Sequence, residues 1–75
     1  MTPDQLRGVH RAVPFRPFTI RMADGRAFHI PHPDFLLITP AGRTVVAVDQ
    51  NGVAHILDLL LMTEIETDTA PAASS

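Results

Sequence analysis

Short runs of alternating apolar and polar residues fill most of the chain between Phe18 and Glu66. A period of two is typical of strands that bury one face. The dipeptides Asp24-Gly25 and Asn51-Gly52 stand between such runs and are strong signals for tight hairpin turns. Pro40-Ala41-Gly42 marks a third turn. The pattern therefore predicts several short antiparallel strands.

The first predicted strand starts at Phe18, and the second covers residues 26–30. Prolines at positions 31 and 33 lack backbone donors, which predicts a bend or an edge over residues 31–34. Further strands are predicted over residues 35–38, 44–48 and 53–58, and a last strand carries Ile65. Because the runs at 35–38 and 44–48 are apolar on both faces, they are predicted to be the central strands and to form the core.

A short helix is predicted before the strands. Thr2 supplies a capping hydroxyl, Pro3 occupies the first helical position, and Gln5 completes a capping box. Leu6 and Val9 recur at helical spacing, and Pro14 prevents extension, so the helix is expected over residues 3–12. An isolated helix of this length is unstable, and its apolar stripe is expected to dock on the sheet.

The block from Leu57 to Met62 is unusually apolar. It fits a strand followed by a tight turn around residues 58–61, although its periodicity also fits a helical turn. Residues 68–75 are small and polar, without a pattern, and are expected to form a disordered tail. The chain is thus predicted to be one domain, residues 1–67, of the α+β class. Its helix precedes an antiparallel meander of five or six strands.

Composition adds an expectation about assembly. A chain of 75 residues buries a small fraction of its surface, and without cysteine it has neither disulfides nor thiolate metal sites. Small domains of this kind often gain burial by oligomerising, so a homo-oligomer is expected. The sequence shows no signal-peptide pattern and no run near the roughly 18 apolar residues of a membrane helix, which predicts a soluble, cytoplasmic protein.

The charges are unevenly distributed. Six arginines stand against eight acidic residues, for a formal charge of −2, and five of the arginines precede residue 27. The overall balance argues against a strong nucleic-acid footprint, which is usually basic. A local surface for single-stranded nucleic acid, with Phe15 stacking on a base, is the alternative function; its candidate residues are Phe15, Arg16, Arg21 and Arg26.

The element order, together with the segment from Ile20 to Asp24-Gly25, resembles the small SH3-like barrels and particularly the Sm-like fold. This resemblance implies a strongly bent sheet or small barrel that forms rings. The chain departs from the Sm pattern at Ile30-Pro31, where a glycine usually lets the second strand bend. It also has Leu57 to Leu61 where bacterial members carry a Lys-His pair that contacts RNA. Segments such as Pro14 to Phe18 are similar to a group of short uncharacterised bacterial proteins.

Few residues are candidates for chemistry. His29, His32 and Asp34 have the side chains of metal ligands, and His55 could join them, but their spacing matches no established motif. The prolines between them explain an exposed bend more simply. No cysteine, tyrosine or recognisable carboxylate pair supplies a catalytic group. The chain is predicted to be a non-enzyme without a cofactor.

The leucine block is the remaining candidate site. Its residues cannot all point into a small core, and an apolar patch left outside usually marks an interaction surface. We therefore expect the last two strands to supply a contact between protomers, through edge pairing or face packing. The predicted interface residues are Leu57, Leu59, Leu60, Leu61 and Met62.

Overall fold

The computed structural model describes residues 1–67 and contains one helix followed by six antiparallel strands. This α+β, strand-rich architecture confirms the predicted fold class. Short 3₁₀ turns at Pro33–Phe35 and Leu59–Leu61 precede the third and the last strand. The predicted tail, residues 68–75, lies outside the described residues. The elements are α1 (Pro3–His10), β1 (Phe18–Met22), β2 (Ala27–Ile30), β3 (Leu36–Ile38), β4 (Thr44–Val48), β5 (Ala54–Asp58) and β6 (Met62–Thr67).

The strands form two sheets of three strands each. In sheet A the order is β2-β1-β6, and in sheet B it is β3-β4-β5. The last strand therefore returns to pair with the first, with Ile20 opposite Ile65. Within residues 1–67 no ladder of backbone pairs joins the two sheets, so a closed barrel is not observed.

The core lies between the inner faces of the two sheets. Alternation in β1 directs Phe18, Ile20 and Met22 inward, as the sequence predicts, and all three are buried. Removal of such side chains from water is the main favourable term in folding. The largest fully buried side chains are Phe18, Leu6, Ile20, Ile30, Leu59 and Val45.

The two predicted hairpin turns share one geometry. Gly25 donates its N–H to the carbonyl of Met22, and Gly52 donates to the carbonyl of Asp49, each at 3.0 Å. Their φ angles of 93° and 82° lie in the left-handed region, which glycine adopts without steric cost. Both dipeptides thus form turns, as predicted.

Helix α1 has the predicted capping box. The Gln5 N–H donates to the Thr2 hydroxyl, and the Thr2 N–H donates to the Gln5 side chain. The helix ends at His10, two residues before the predicted end, and Arg11 forms its C-cap. Proline disfavours helical backbone at the residue before it, which here is Val13, and the chain leaves the helix before that position.

The position of α1 completes the core. Leu6 is fully buried, and the partly buried Met1 and Val9 pack against the core. On one side, Arg7 donates to the carbonyl of Pro40 at 2.7 Å, just beyond β3. On the other side, a shallow depression is lined by Met1, Gln5 and Val9 together with residues of β6. The helix therefore lies between β3 of sheet B and β6 of sheet A.

The prediction that residues 35–38 form a central strand is wrong. Strand β3 is an edge strand of three residues, and within sheet B only β4 has a partner on both sides. Phe35 belongs to the preceding 3₁₀ turn. The run is apolar on both faces for another reason, since Leu36 enters the core while Leu37 is 61% exposed on the opposite face.

None of the helices described within residues 1–67 has the length and apolar character that crossing a membrane requires.

Candidate interaction surface

The outer face of sheet A is polar, and its charges are paired. Arg21 lies at its centre, and its Nη2 donates to Glu66 Oε1 at 2.8 Å. Glu64 Oε1 lies 3.5 Å from the Arg21 Nε. The hydrogen bond to Glu66 raises the pKa of Arg21 above its usual value. This face is therefore a polar surface exposed to solvent.

The outer face of sheet B is apolar. Leu37, Val46 and Ile56 are in register across its three strands. Leu37 and Ile56 are 61% and 76% exposed, and the neighbouring pair Val48 and Ala54 extends the row. Since alternate residues of a strand share a face, these five side chains lie on one surface. We call this set the apolar face.

Charge is confined to one end of the apolar face, and there it is paired. Asp58 lies opposite Thr44 in the register. Its Oδ1 accepts from Arg43 Nε at 3.2 Å and from the Leu60 N–H at 2.9 Å. The hydrogen bond from Arg43 is the main reason that the pKa of Asp58 is lowered. The middle of the face presents no ionised group.

The predicted leucine interface is divided by the fold. Leu57, Leu59 and Met62 are at most 3% exposed and belong to the core. Leu60 and Leu61, in the 3₁₀ turn before β6, are 63% and 53% exposed. The 3₁₀ turn between β5 and β6 explains this division, because it buries Leu59 and leaves the next two leucines exposed. These two exposed leucines, which we call the leucine corner, are the part of the predicted interface available to a partner.

The residues predicted to bind nucleic acid do not form one free cationic surface. Arg21 is engaged by Glu66, and Arg26 Nε lies 2.8 Å from Asp24 Oδ2. Phe15 is half-buried, with its ring 5.8 Å from that of Phe18. Arg16 is exposed in the connector before β1. Nucleic-acid binding stays a prediction. Two of the three candidate arginines, Arg21 and Arg26, already form ion pairs with acidic side chains.

The predicted metal ligands are also not brought together. His29 Nδ1 lies 3.2 Å from the Thr19 hydroxyl on the outer face of sheet A. His32 and Asp34 lie at the first 3₁₀ turn, 3.6 Å apart, while His55 pairs with Asp49 at 3.0 Å. The part of the chain that the structure describes contains no group of three or more ligands able to hold a metal ion.

The sequence does not identify the apolar face, although its signal is present. The runs at 35–38 and 44–48 predict strands that are buried on both faces, because such runs are typical of central strands. An exposed apolar face produces the same pattern. A strand buried on both faces can be told from a strand with an exposed apolar face only when the sheet that each strand joins is known, and the sequence pattern does not specify this.

The chain was compared with protein-family profiles, with curated proteins and with solved structures, and none of these comparisons gave a match. The resemblance to Sm-like barrels and to short bacterial proteins therefore stays a prediction, and the apolar face of sheet B is the surface on which a functional proposal rests.

Proposed function

We propose that the protein is a cytoplasmic, non-catalytic module that self-associates through the apolar face of sheet B. The observation that supports this proposal is the difference between the two outer faces of one small molecule. Sheet A presents paired charges to solvent, whereas sheet B presents Leu37, Val46 and Ile56 in register. Contiguous exposed apolar patches on small proteins mark interaction sites.

Burial of the apolar face would make a substantial contribution to the free energy of association. Full burial of a leucine or isoleucine side chain contributes about 1.5–3 kcal/mol relative to exposure. Leu37 and Ile56 retain most of their exposure in the single chain, so a partner would bury them on association. For a domain of marginal stability, such a contribution is a large fraction of the total.

A second copy of the chain fits this surface well. The middle of the apolar face holds no charge, so two identical faces meet without repulsion or an unpaired buried ion. A two-fold contact uses the same surface on both subunits, which is the commonest form of homo-oligomer. The chain is also short and without cysteine, and association provides the stabilising burial that such domains need.

The test is the native mass by light scattering at micromolar concentration, on the native chain and on Ile56→Asp. Ile56 is mostly exposed, so the substitution leaves the core intact but places a charge in the contact. We expect the native chain to be an oligomer and the variant to be a folded monomer, with association weakened by more than about tenfold. Ala27→Asp is the matched control, because Ala27 is exposed on the edge strand β2 of sheet A.

A further variant separates face packing from contact at the leucine corner. Leu60 is exposed, so Leu60→Asp is expected to fold and, under our proposal, to associate as the native chain does. Dissociation by Leu60→Asp but not by Ile56→Asp would move the contact to the corner. A monodisperse native monomer would refute self-association altogether.

A further inference from the structure

We propose that a groove between α1 and β3 binds an extended acidic peptide of a partner protein. The groove has a volume of about 900 Å³, within the range of ligand sites. One wall is helical, and the other is formed by β3 and the turns at its two ends. The groove shares Leu37 with the apolar face of sheet B, so a bound peptide and a second copy of the chain would compete for that side chain. The groove is lined by Asp4, Arg7, His10, Arg11, Pro33, Leu37, Ile38, Thr39 and Pro40.

The helical wall carries two cations, Arg7 and Arg11, against one anion, Asp4. Arg7, His10 and Arg11 lie along the groove, and Asp4 lies near its other end, with its Oδ1 3.8 Å from Arg7 Nη1. Arg11 is exposed, and no ion pair of Arg11 is found among the described residues. Charge complementarity therefore favours an occupant with a carboxylate near the C-terminal end of α1.

The opposite wall offers apolar contact. Leu37 is 61% exposed, and Pro33 and Pro40 also line the groove. An anion without an apolar part would leave these side chains in water. The combination of cationic and apolar side chains around the groove fits a peptide that carries both acidic and apolar residues.

The backbone of β3 adds a reason for an extended peptide. Thr39 donates its N–H to the carbonyl of Thr44, and Leu37 lies opposite Val46 two positions earlier. In an antiparallel pair the bonded positions alternate, so Leu37 bonds to β4 while the N–H and C=O of Ile38 face the free edge. A peptide alongside can exchange hydrogen bonds with Ile38, which is recognition by strand addition.

The helix is held at both ends of β3, which keeps the groove formed. His10 Nε2 lies 2.9 Å from the Pro33 carbonyl oxygen, before the strand. Arg7 Nη2 donates to the Pro40 carbonyl, after the strand. The middle of β3 lies between these two contacts. The site is thus preorganised, which lowers the entropic cost of binding.

The test is a fluorescence-polarisation titration at low salt with a labelled peptide of alternating Glu and Val residues. The neutral control peptide has Gln in place of each Glu. We expect binding of the acidic peptide and at least about tenfold weaker binding of the neutral one. Arg11→Glu should weaken acidic-peptide binding by a similar factor. Arg16→Glu changes the net charge equally but lies outside the groove, and it should have little effect.

Three results would overturn the proposal: no binding of the acidic peptide at low salt, equal loss in Arg11→Glu and Arg16→Glu, or preferential binding of an oligothymidine at the same site. The last result would instead assign the groove to nucleic acid. Light scattering of Arg11→Glu should give the native mass, which keeps this test separate from that of self-association.

Discussion

Asp49 shows how one side chain organises a turn. Its Oδ1 accepts from the N–H groups of Asn51 and Val53, and its Oδ2 lies 3.0 Å from His55 Nε2. The hydrogen bond with His55 is the main reason that the pKa of Asp49 is lowered, and the backbone bonds act in the same direction. The carboxylate thereby connects the end of β4 to the start of β5.

The pH dependence of stability follows from this lowered pKa. Because the folded chain holds the pKa of Asp49 below its ordinary value of 3.8, the ionised carboxylate stabilises the fold above that value. The stabilisation is lost as pH falls through the folded-state pKa. We expect Asp49→Asn to lower Tm at neutral pH, and the difference from the native chain to shrink in acid. Thermal melts followed by circular dichroism measure both effects.

Asp34→Asn is the matched control, since the Asp34 side chain is 89% exposed. Equal loss of Tm in both variants at neutral pH would contradict the role assigned to Asp49. The turn itself could be predicted from Asn51-Gly52. The partner of Asp49 could not, because it depends on β5 bringing His55 back beside the turn.

At the scale of elements, the sequence predicts where α1 begins but not where it packs. The capping box is local, so Thr2 and Gln5 were sufficient to predict it. Docking depends on Gly42, which lies 39 residues after Pro3 in the chain. A Cβ added at Gly42 would lie 2.6 Å from the Pro3 Cβ and 3.1 Å from Arg7 Nη2. Such a close approach is not visible in any local pattern.

Gly42→Ala is expected to destabilise the protein and loosen α1. The residue has a φ of 80°, so alanine is strained there by about 1–3 kcal/mol even without the clash. Gly25→Ala is the control, because Gly25 has a φ of 93° and nothing within 4 Å of the added Cβ. We expect the larger loss of Tm in Gly42→Ala, together with faster hydrogen exchange in α1. Equal losses and unchanged exchange would show that Gly42 does not hold the helix.

At the scale of the whole molecule, the six-strand pattern was predictable but the arrangement of the sheets was not. The alternation in β1 predicted its buried face correctly. The division of the leucine block between core and surface required knowledge that β6 pairs with β1 while β5 pairs with β4. The pairing of β1 with β6 joins residues far apart in sequence, and no turn signal specifies it, whereas the Asn51-Gly52 turn predicts the pairing of β4 with β5.

If association buries the apolar face only in the folded chain, stability should depend on concentration. We expect Tm to rise as the native protein is concentrated over about a hundredfold range, and to remain constant for Ile56→Asp. Differential scanning calorimetry measures this directly. A constant Tm for the native chain across that range would mean that folding and association are not coupled.

The position of α1 beside β3 has a consequence for growth of the sheet. An exposed strand edge normally permits unlimited addition, because each added strand presents a new edge to the next. Here a peptide bound along β3 would have the helix on its far side, where Arg7 and His10 reach across at the two ends. Addition would therefore stop after one strand, and the same edge that allows recognition would not propagate into a fibril.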